Sequence, residues 1–191
     1  MVISSQQSVK LHLGAGNVYL PDYINIDSDT SFAVDVHDDI VTLAQFEDNT
    51  IEEIYSCNCL EHLGKFKYKE ALKRWYDLLR DGGILRVSVP DFEAICRYYA
   101  ETKDLDSLYS ALYGGQTAPW NFHYWCWDFE HLKNDLEEIG FKNVHRFDRS
   151  IIGMRDWSLN YVPYHDSNGD ELTDEEWFKG AFIALNVEAM K

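Results

Sequence analysis

The most constraining feature of the sequence is a short, mainly apolar run, residues 10–13, that ends at Gly14 and Gly16. Such a run is typical of a buried strand that breaks into a tight loop. A second apolar run, residues 23–26, ends at Asp27 and predicts the neighbouring strand. The glycines let a ligand approach the backbone closely, and the acid is suited to accept hydrogen bonds from ribose hydroxyls. The pattern predicts a nucleoside-binding corner, with ordinary turn glycines and a strand-end aspartate as the alternative.

The spacing within this corner argues against a dinucleotide. Only ten residues separate Gly16 from Asp27, which leaves no room for the helix that usually crosses between parallel strands. A pyrophosphate loop also has a third glycine, where this chain has Tyr19. The sequence therefore predicts a nucleoside without phosphate and disfavours a nicotinamide oxidoreductase.

Length and charge restrict the architecture and the partners. A chain of 191 residues fits one domain with room for a lid. Its 17 basic and 33 acidic residues give a net charge of −16, which repels nucleic acid and anionic lipid. No apolar run approaches the roughly 20 residues of a membrane helix, so we expect a soluble cytoplasmic protein, with residues 1–8 as a loose arm and oligomerisation left open. The cysteines have no zinc-site spacing and are read as reduced thiols: Cys57, Cys59, Cys96 and Cys126.

Strand and helix patterns alternate along the chain. Strands are predicted at residues 32–36, 51–60 and 84–89, and a helix at 66–80 that ends at Gly82 and Gly83. A second helix is predicted between Asp128 and Gly140, followed by strands at 142–148 and 181–189, of which the last is antiparallel. The pattern predicts an α/β domain on a mostly parallel sheet, with the strand ends along one ligand-binding edge.

Residues 91–127 interrupt this alternation. Two helical stretches, 92–102 and 105–113, precede a loop rich in Trp, Tyr and Phe. We interpret the segment as a lid or substrate wall, because so many exposed rings would otherwise be costly; the alternative is a small satellite core. Residues 149–180 are predicted to form an irregular, acidic insertion before the last strand.

Four motifs in order resemble the class I S-adenosylmethionine-dependent methyltransferases, which have a Rossmann-like fold. They are residues 13–17 (Leu-Gly-Ala-Gly-Asn), 20–27 (Leu-Pro-Asp-Tyr-Ile-Asn-Ile-Asp), 60–63 (Leu-Glu-His-Leu) and 79–91, which contain Gly82 and Gly83. The chain is similar in particular to small predicted methyltransferases associated with cell-surface polysaccharide synthesis. The likeness covers about residues 9–148 and makes the shortened first crossover, without its usual helix, a departure from the family pattern.

The resemblance implies S-adenosylmethionine as the cofactor and S-adenosylhomocysteine as the product. The loop would pass under the methionine part, Asp27 would hold the ribose, and Asn58 would lie near the methionine or the sulfonium. His12 and Ala15 depart from residues common in relatives, which leaves the binding of the carboxylate open. The implied cofactor-binding residues are Gly14, Ala15, Gly16, Asn17, Asp27, Asp39, Ile40 and Asn58.

The reaction expected from the resemblance is methyl transfer to a hydroxyl, or an amine, of a sugar or small metabolite. His62 and His123 are the candidate bases, because imidazole titrates near neutrality; a turn cap and a packed loop residue are the alternatives, and Asp91 is a third candidate. The remaining histidines lack partners at ligand spacing, so no metal site is predicted. A non-catalytic methyltransferase-like binding or regulatory protein remains the alternative function. Candidate acceptor contacts are Tyr113, Gln116, Trp120 and Tyr124, with Phe122, Trp125 and Trp127 as further rings for stacking.

Overall fold

One seven-stranded sheet organises the chain. In the computed structural model, which describes residues 9–147 and 184–191, the strand order is β3-β2-β1-β4-β5-β7-β6. The strands are β1 (Lys10–Leu13), β2 (Ile24–Asp27), β3 (Val36–His37), β4 (Ile51–Cys57), β5 (Leu79–Pro90), β6 (Lys142–Arg146) and β7 (Ala184–Met190).

Strands β1 to β5 are parallel, and β7 lies antiparallel between β5 and β6. The α/β class, the mostly parallel sheet and the antiparallel last strand are therefore confirmed. The strand order reverses between β1 and β4, and the carboxyl edge at such a reversal is where open α/β sheets bind ligands.

Four helices are present in the described residues, with short 3-10 turns at Leu60–His62 and Asp106–Leu108. In the longest, Leu72 and Trp75 belong to the apolar face that packs on the sheet. The last begins at Asp128, whose side chain accepts from the backbone N–H of His131, and ends at Gly140, as predicted. The helices are α1 (Lys67–Leu78), α2 (Phe92–Thr102), α3 (Tyr109–Tyr113) and α4 (Phe129–Ile139).

The crossing from β1 to β2 contains no helix, as the ten-residue spacing predicts. Asn25 holds it instead, because its buried side chain accepts from the N–H of Leu20 at 2.9 Å and donates to the carbonyls of Leu20 and Tyr23. Residues 18–23 then cover the face of β4 that carries Tyr55 and Cys57. The opposite face of the sheet packs against α1 and α4.

Several predicted boundaries are wrong. The strand predicted at 51–60 ends at Cys57, because Leu60 begins a 3-10 turn, and the strand predicted at 142–148 ends at Arg146. The helix predicted at 66–80 ends at Leu78, because Leu79 is extended, fully buried and paired with Ile51, so Gly82 and Gly83 lie inside β5. The strand predicted at 32–36 is reduced to Val36–His37, since the Asp35 carboxylate accepts from the backbone N–H of Asn25. The stretch predicted as one helix at 105–113 is a 3-10 turn followed by the short α3.

Two expectations fall on residues that the structure does not describe: the arm at 1–8 and the insertion at 149–180 both lie outside the described ranges. Within those ranges, no helix combines the length and the apolar character needed to cross a bilayer.

Candidate active site

A cavity of about 500 Å³ opens at the carboxyl edge of the sheet, beside the reversal in strand order. The loops that follow β1, β2, β3 and β4 form its floor and one side. The aromatic loop that precedes α4 forms the other side. The sheet edge that the sequence predicts as the ligand-binding edge therefore contains a cavity in the folded chain.

The loop after β1 and the end of β2 are joined by hydrogen bonds to Asp27. The backbone N–H of Gly16 donates to Oδ2 of Asp27 at 2.9 Å, and that of Asp29 donates to Oδ1 at 2.9 Å. Each carboxylate oxygen has more than one lone pair, so the side chain is oriented and still able to accept from a ligand. Asp27 lines the cavity.

The two glycines of this loop are required for different reasons. Both have positive φ, +68° at Gly14 and +52° at Gly16, a region that other residues rarely occupy. A Cβ at Gly14 would lie 2.3 Å from Sγ of Cys59, whereas a Cβ at Gly16 would meet no atom within 4 Å. Gly14 is therefore needed for packing, and Gly16 leaves open space at the cavity wall.

The cavity lining is acidic. Four carboxyl groups line it, and none of the lining residues in the described part of the chain is Lys or Arg. Because none of the described lining residues offers a cation to compensate phosphate charge, this lining favours a cationic or neutral ligand over a phosphorylated one. The four acids are Asp27, Asp29, Asp39 and Glu61.

Two histidines and a buried glutamate meet at one end of the cavity. The rings of His62 and His123 are in edge-to-face contact with centroids 4.7 Å apart, and Nε2 of His123 lies 3.9 Å from Oε1 of Glu61. Glu61 is fully buried, and neither of its carboxyl oxygens has a hydrogen-bond partner among the described residues. This cluster was not foreseen, because His123 is far from the other two along the chain.

Burial displaces the pKa values of all three groups. Burial raises the pKa of Glu61 to about 8. The backbone N–H groups of Glu61 itself and of Cys59 oppose this rise, although neither makes a hydrogen bond of normal geometry to the carboxyl group. Burial lowers the pKa of His123 to about 4, although the Ala111 carbonyl opposes it. Burial also lowers the pKa of His62, against the backbone carbonyls beside that ring. Both imidazoles are therefore neutral at pH 7.

The aromatic loop contributes Trp120, Asn121, His123 and Tyr124 to the cavity lining. Its Trp120 ring lies 6.3 Å from the ring of Phe32, which belongs to the loop after β2. The backbone N–H of Tyr124 donates to the Glu61 carbonyl at 2.8 Å, which fixes the loop to the turn after β4. The interpretation of this segment as a wall is thus compatible with its position, although Trp120 itself is 50% exposed.

The structure brings most of the predicted site residues together, while Ala15, Tyr113 and Gln116 do not line the cavity. Ala15 is buried, with its N–H bonded to the carbonyl of Ile26. Tyr113 is 52% exposed, and Gln116 is exposed outside the cavity. The predicted residues that line it are Gly14, Gly16, Asn17, Asp27, Asp39, Ile40, Asn58, His62, Trp120, His123 and Tyr124.

Three of the rings proposed for stacking do not line the cavity, and of these Phe122 is 37% exposed. Trp127 is 1% exposed and donates from Nε1 to Asp135, so it belongs to the core, and Trp125 stacks on Tyr68. Asp91 also has a structural place, because it accepts from the N–H groups that begin α2 and pairs with Arg146. Sequence reasoning missed Glu61 as a site residue; its position beside His62 was the available signal.

Comparison with known proteins agrees with this architecture. A SAM-dependent methyltransferase from Archaeoglobus fulgidus aligns with a TM-score of 0.56 at 15% identity, over 96% of this chain and 86% of that one. A possible histamine N-methyltransferase from Thermotoga maritima aligns with a TM-score of 0.58 at 14% identity, over 96% of this chain and 82% of that one. The chain has the Rossmann-like methyltransferase fold.

A third neighbour was solved with ligands. It is the 1,6-didemethyltoxoflavin-N1-methyltransferase of Burkholderia thailandensis, with 1,6-didemethyltoxoflavin and S-adenosylhomocysteine bound. It aligns with a TM-score of 0.52 at 14% identity, over 96% of this chain and 71% of that one. No family model matches the chain, and no curated protein matches it. The comparisons therefore establish the fold, and function must be argued from the cavity.

Proposed function

We propose that this protein is an S-adenosylmethionine-dependent methyltransferase that acts on a hydroxyl, or an amine, of a sugar or small metabolite. The observation that carries the proposal is the corner made by Gly16 and Asp27 at the reversal of strand order, where it faces an acidic cavity without Lys or Arg among its described lining residues. The neighbouring structures, which are SAM-dependent methyltransferases, support the same cofactor.

The residues present fit this cofactor in shape and charge. A cavity of about 500 Å³ is of the size that holds a small organic ligand. S-adenosylmethionine carries a sulfonium, an ammonium and no phosphate, which suits the acids of the lining. The open space beside Gly16 lets the ligand approach the backbone.

We assign the cofactor contacts by position along the cavity. Asp27, held by two backbone N–H groups, would accept from the ribose hydroxyls. Asp39 and Ile40 follow β3, beside the second strand, and would lie beside the adenine. Asn58 and the Gly14–Asn17 loop would hold the methionine part. Ala15 contributes to the shape of the loop from within the core.

We assign four of the lining residues to the acceptor: His62, His123, Trp120 and Tyr124. When bound, S-adenosylmethionine supplies a methyl group on a sulfonium, and its transfer to a hydroxyl leaves S-adenosylhomocysteine and one proton. In this proposal a neutral imidazole takes that proton, and the rings of Trp120 and Tyr124 stack on the sugar. The choice of a sugar rests on the sequence resemblance to small predicted methyltransferases associated with cell-surface polysaccharide synthesis.

The test is turnover. Purified full-length protein would be incubated with S-adenosylmethionine and a panel of neutral monosaccharides, nucleotide-free oligosaccharides and small amines, with formation of S-adenosylhomocysteine followed by mass spectrometry. We expect at least one acceptor to give product above the acceptor-free rate, with the Asp27→Ala variant strongly impaired. Binding of the cofactor without turnover on any acceptor would instead favour the non-catalytic alternative.

A further inference from the structure

The cluster of Glu61, His62 and His123 contains the one buried acid that no cation compensates in the described part of the chain. Four acidic side chains are buried there. Glu53 contacts Lys10 and Arg86, Asp135 contacts Lys69 at 3.0 Å, and Asp91 contacts Arg146 at 3.0 Å. Among the described residues, the carboxyl group of Glu61 has neither a cation nor a hydrogen-bond partner of normal geometry.

A buried carboxyl group without a partner is costly, and such groups in folded proteins have a compensating contact. The groups that face Glu61 are imidazoles. Nδ1 of His123 lies 2.8 Å from the carbonyl of Ala111, and since a carbonyl only accepts, Nδ1 carries the hydrogen. The lone pair of the neutral ring is then on Nε2, the atom 3.9 Å from Oε1 of Glu61. The lone pair of Nε2 therefore faces the carboxyl group of Glu61.

The three side chains are close enough together to serve as ligands of one metal ion after a small adjustment. One ligand atom from each of Glu61, His62 and His123 lies within 4.8 Å of the other two. Two atoms about 2.1 Å from a common ion lie about 3–4 Å apart, depending on the angle between them. The bond from His123 to the Ala111 carbonyl, and that from Nδ1 of His62 to the Phe122 carbonyl at 3.1 Å, also resemble the backbone contacts that orient ligating histidines.

We propose that Glu61, His62 and His123 bind a divalent metal ion at the acceptor end of the cavity. Two imidazoles and one carboxylate favour a borderline transition metal such as Zn²⁺, Co²⁺ or Mn²⁺ over Ca²⁺. Three protein ligands leave positions open, and all three residues line the cavity, so the open positions face the ligand space. The ion is the positive partner that Lys and Arg supply to the other buried acids.

The consequence for the reaction rests on the proposed function. An ion at this place binds the oxygen of the acceptor hydroxyl and lowers the pKa of that hydroxyl. The O–H bond then breaks with the proton passing to water, as the oxygen forms its bond to the methyl carbon and the bond from that carbon to sulfur breaks. With the ion bound, His62 and His123 act as its ligands, and water replaces them as the proton acceptor.

The experiment measures the metal alone. Full-length protein stripped with a chelator would be titrated with Co²⁺, Mn²⁺, Zn²⁺ and Mg²⁺ chlorides by calorimetry, and Co²⁺ binding would also be followed by its visible absorption. We expect one Co²⁺, Mn²⁺ or Zn²⁺ per chain and visible bands of nitrogen-ligated Co²⁺. Glu61→Gln and His123→Ala should each weaken binding at least 10-fold. His131→Ala, which removes a half-exposed histidine that does not line the cavity, should leave it unchanged.

The outcomes separate this proposal from the proposed function. Absence of saturable binding by folded wild-type protein, or unchanged affinity in folded Glu61→Gln and His123→Ala variants, overturns the metal site. If a variant does not fold, the Co²⁺ spectrum of the wild type still decides, because a spectrum of fully hydrated Co²⁺ contradicts imidazole ligation. If turnover is equal with and without chelator, the ion does not activate the acceptor hydroxyl, although the proposed methyl transfer stands. If the protein binds the metal but not S-adenosylmethionine, the metal site stands and the proposed methyltransferase function is wrong.

Discussion

The backbone N–H of Gly16 donates to Oδ2 of Asp27 at 2.9 Å, which joins the loop after β1 to the end of β2. With the bond from Asp29 to Oδ1, it orients a carboxylate at the mouth of the cavity before any ligand arrives. A carboxylate oriented in this way costs little to order on binding, so its contacts with ribose should contribute fully to affinity.

Replacing Asp27 with Ala should weaken binding of S-adenosylhomocysteine by roughly 1.5–3 kcal/mol, about 10- to 150-fold, because charge-assisted hydrogen bonds to ribose are lost. Calorimetry with the purified variant measures this. Glu130→Ala removes an exposed acid that does not line the cavity and should leave affinity unchanged. Equal affinity in wild type and Asp27→Ala would remove Asp27 from the site.

Alanine at the two loop glycines should have different effects. Gly16→Ala places a Cβ in open space at the cavity wall, so we expect a folded protein, about 1–2 kcal/mol less stable from the strained φ, with cofactor affinity reduced about 10-fold or more. Gly14→Ala drives its Cβ into Cys59, so we expect a loss of about 3 kcal/mol or more in the free energy of unfolding.

Urea unfolding and calorimetry on the two glycine variants separate these effects. A Gly16→Ala protein that binds like wild type would contradict our account of the open space. A Gly14→Ala protein as stable as Gly16→Ala would contradict the packing argument for Cys59.

The strand ends, the sheet class and the short first crossing were predictable from sequence, because each rests on local patterns: a glycine pair, an acid after an apolar run and a count of ten residues before Asp27. The residue at which α1 ends was not predictable from the sequence. Propensity favours continuing the helix to the glycines, but Leu79 gains a buried place opposite Ile51 by leaving it. Tertiary packing decides such boundaries.

The acceptor end was only half predictable. His62 and His123 could be proposed separately from their side-chain chemistry, but their contact depends on the aromatic loop folding back onto the turn after β4 through the bond from Tyr124 to Glu61. The same folding sends Trp127 into the core and leaves Trp120 at the cavity. Sequence spacing contains no information on which aromatic side chain faces which way in an irregular loop.

Glu53 should make stability depend on acid pH. Burial alone would raise the pKa of this carboxyl, but hydrogen bonds from Tyr23 and Lys10 and the charge of Arg86 outweigh it and hold the pKa below its usual value. A depressed pKa contributes stability that is fully present above the unfolded-state value of about 4.3 and is lost as pH falls through the folded-state value.

The Glu53→Gln variant tests this. We expect it to be about 3 kcal/mol less stable than wild type at pH 7, because Lys10 and Arg86 lose a buried partner. The difference should shrink as pH is lowered from about 5 to about 3, where the wild-type carboxyl takes up its proton. Urea unfolding at several pH values measures it, and a difference that does not change with pH would show that the carboxylate charge is not responsible.

Asp135 should anchor the base of the aromatic loop. Its Oδ2 accepts from Tyr68 at 3.0 Å and from Nε1 of Trp127 at 3.2 Å, and both donors are buried. Asp135→Ala leaves these donors unpaired and should cost about 3 kcal/mol in the free energy of unfolding. The matched control is Glu138→Ala. Glu138 also pairs with Lys69, but its side chain is 74% exposed, so this change should lower the free energy of unfolding by less than about 1 kcal/mol.

The central claim is that the cavity at the carboxyl edge binds S-adenosylmethionine. Isothermal titration calorimetry of the full-length protein with S-adenosylmethionine and S-adenosylhomocysteine tests it most directly, with circular dichroism to establish that the sample is folded. We expect saturable binding of one molecule per chain, weakened in Asp27→Ala and in Gly16→Ala. Absence of binding of either compound by folded wild-type protein at millimolar concentration would contradict it.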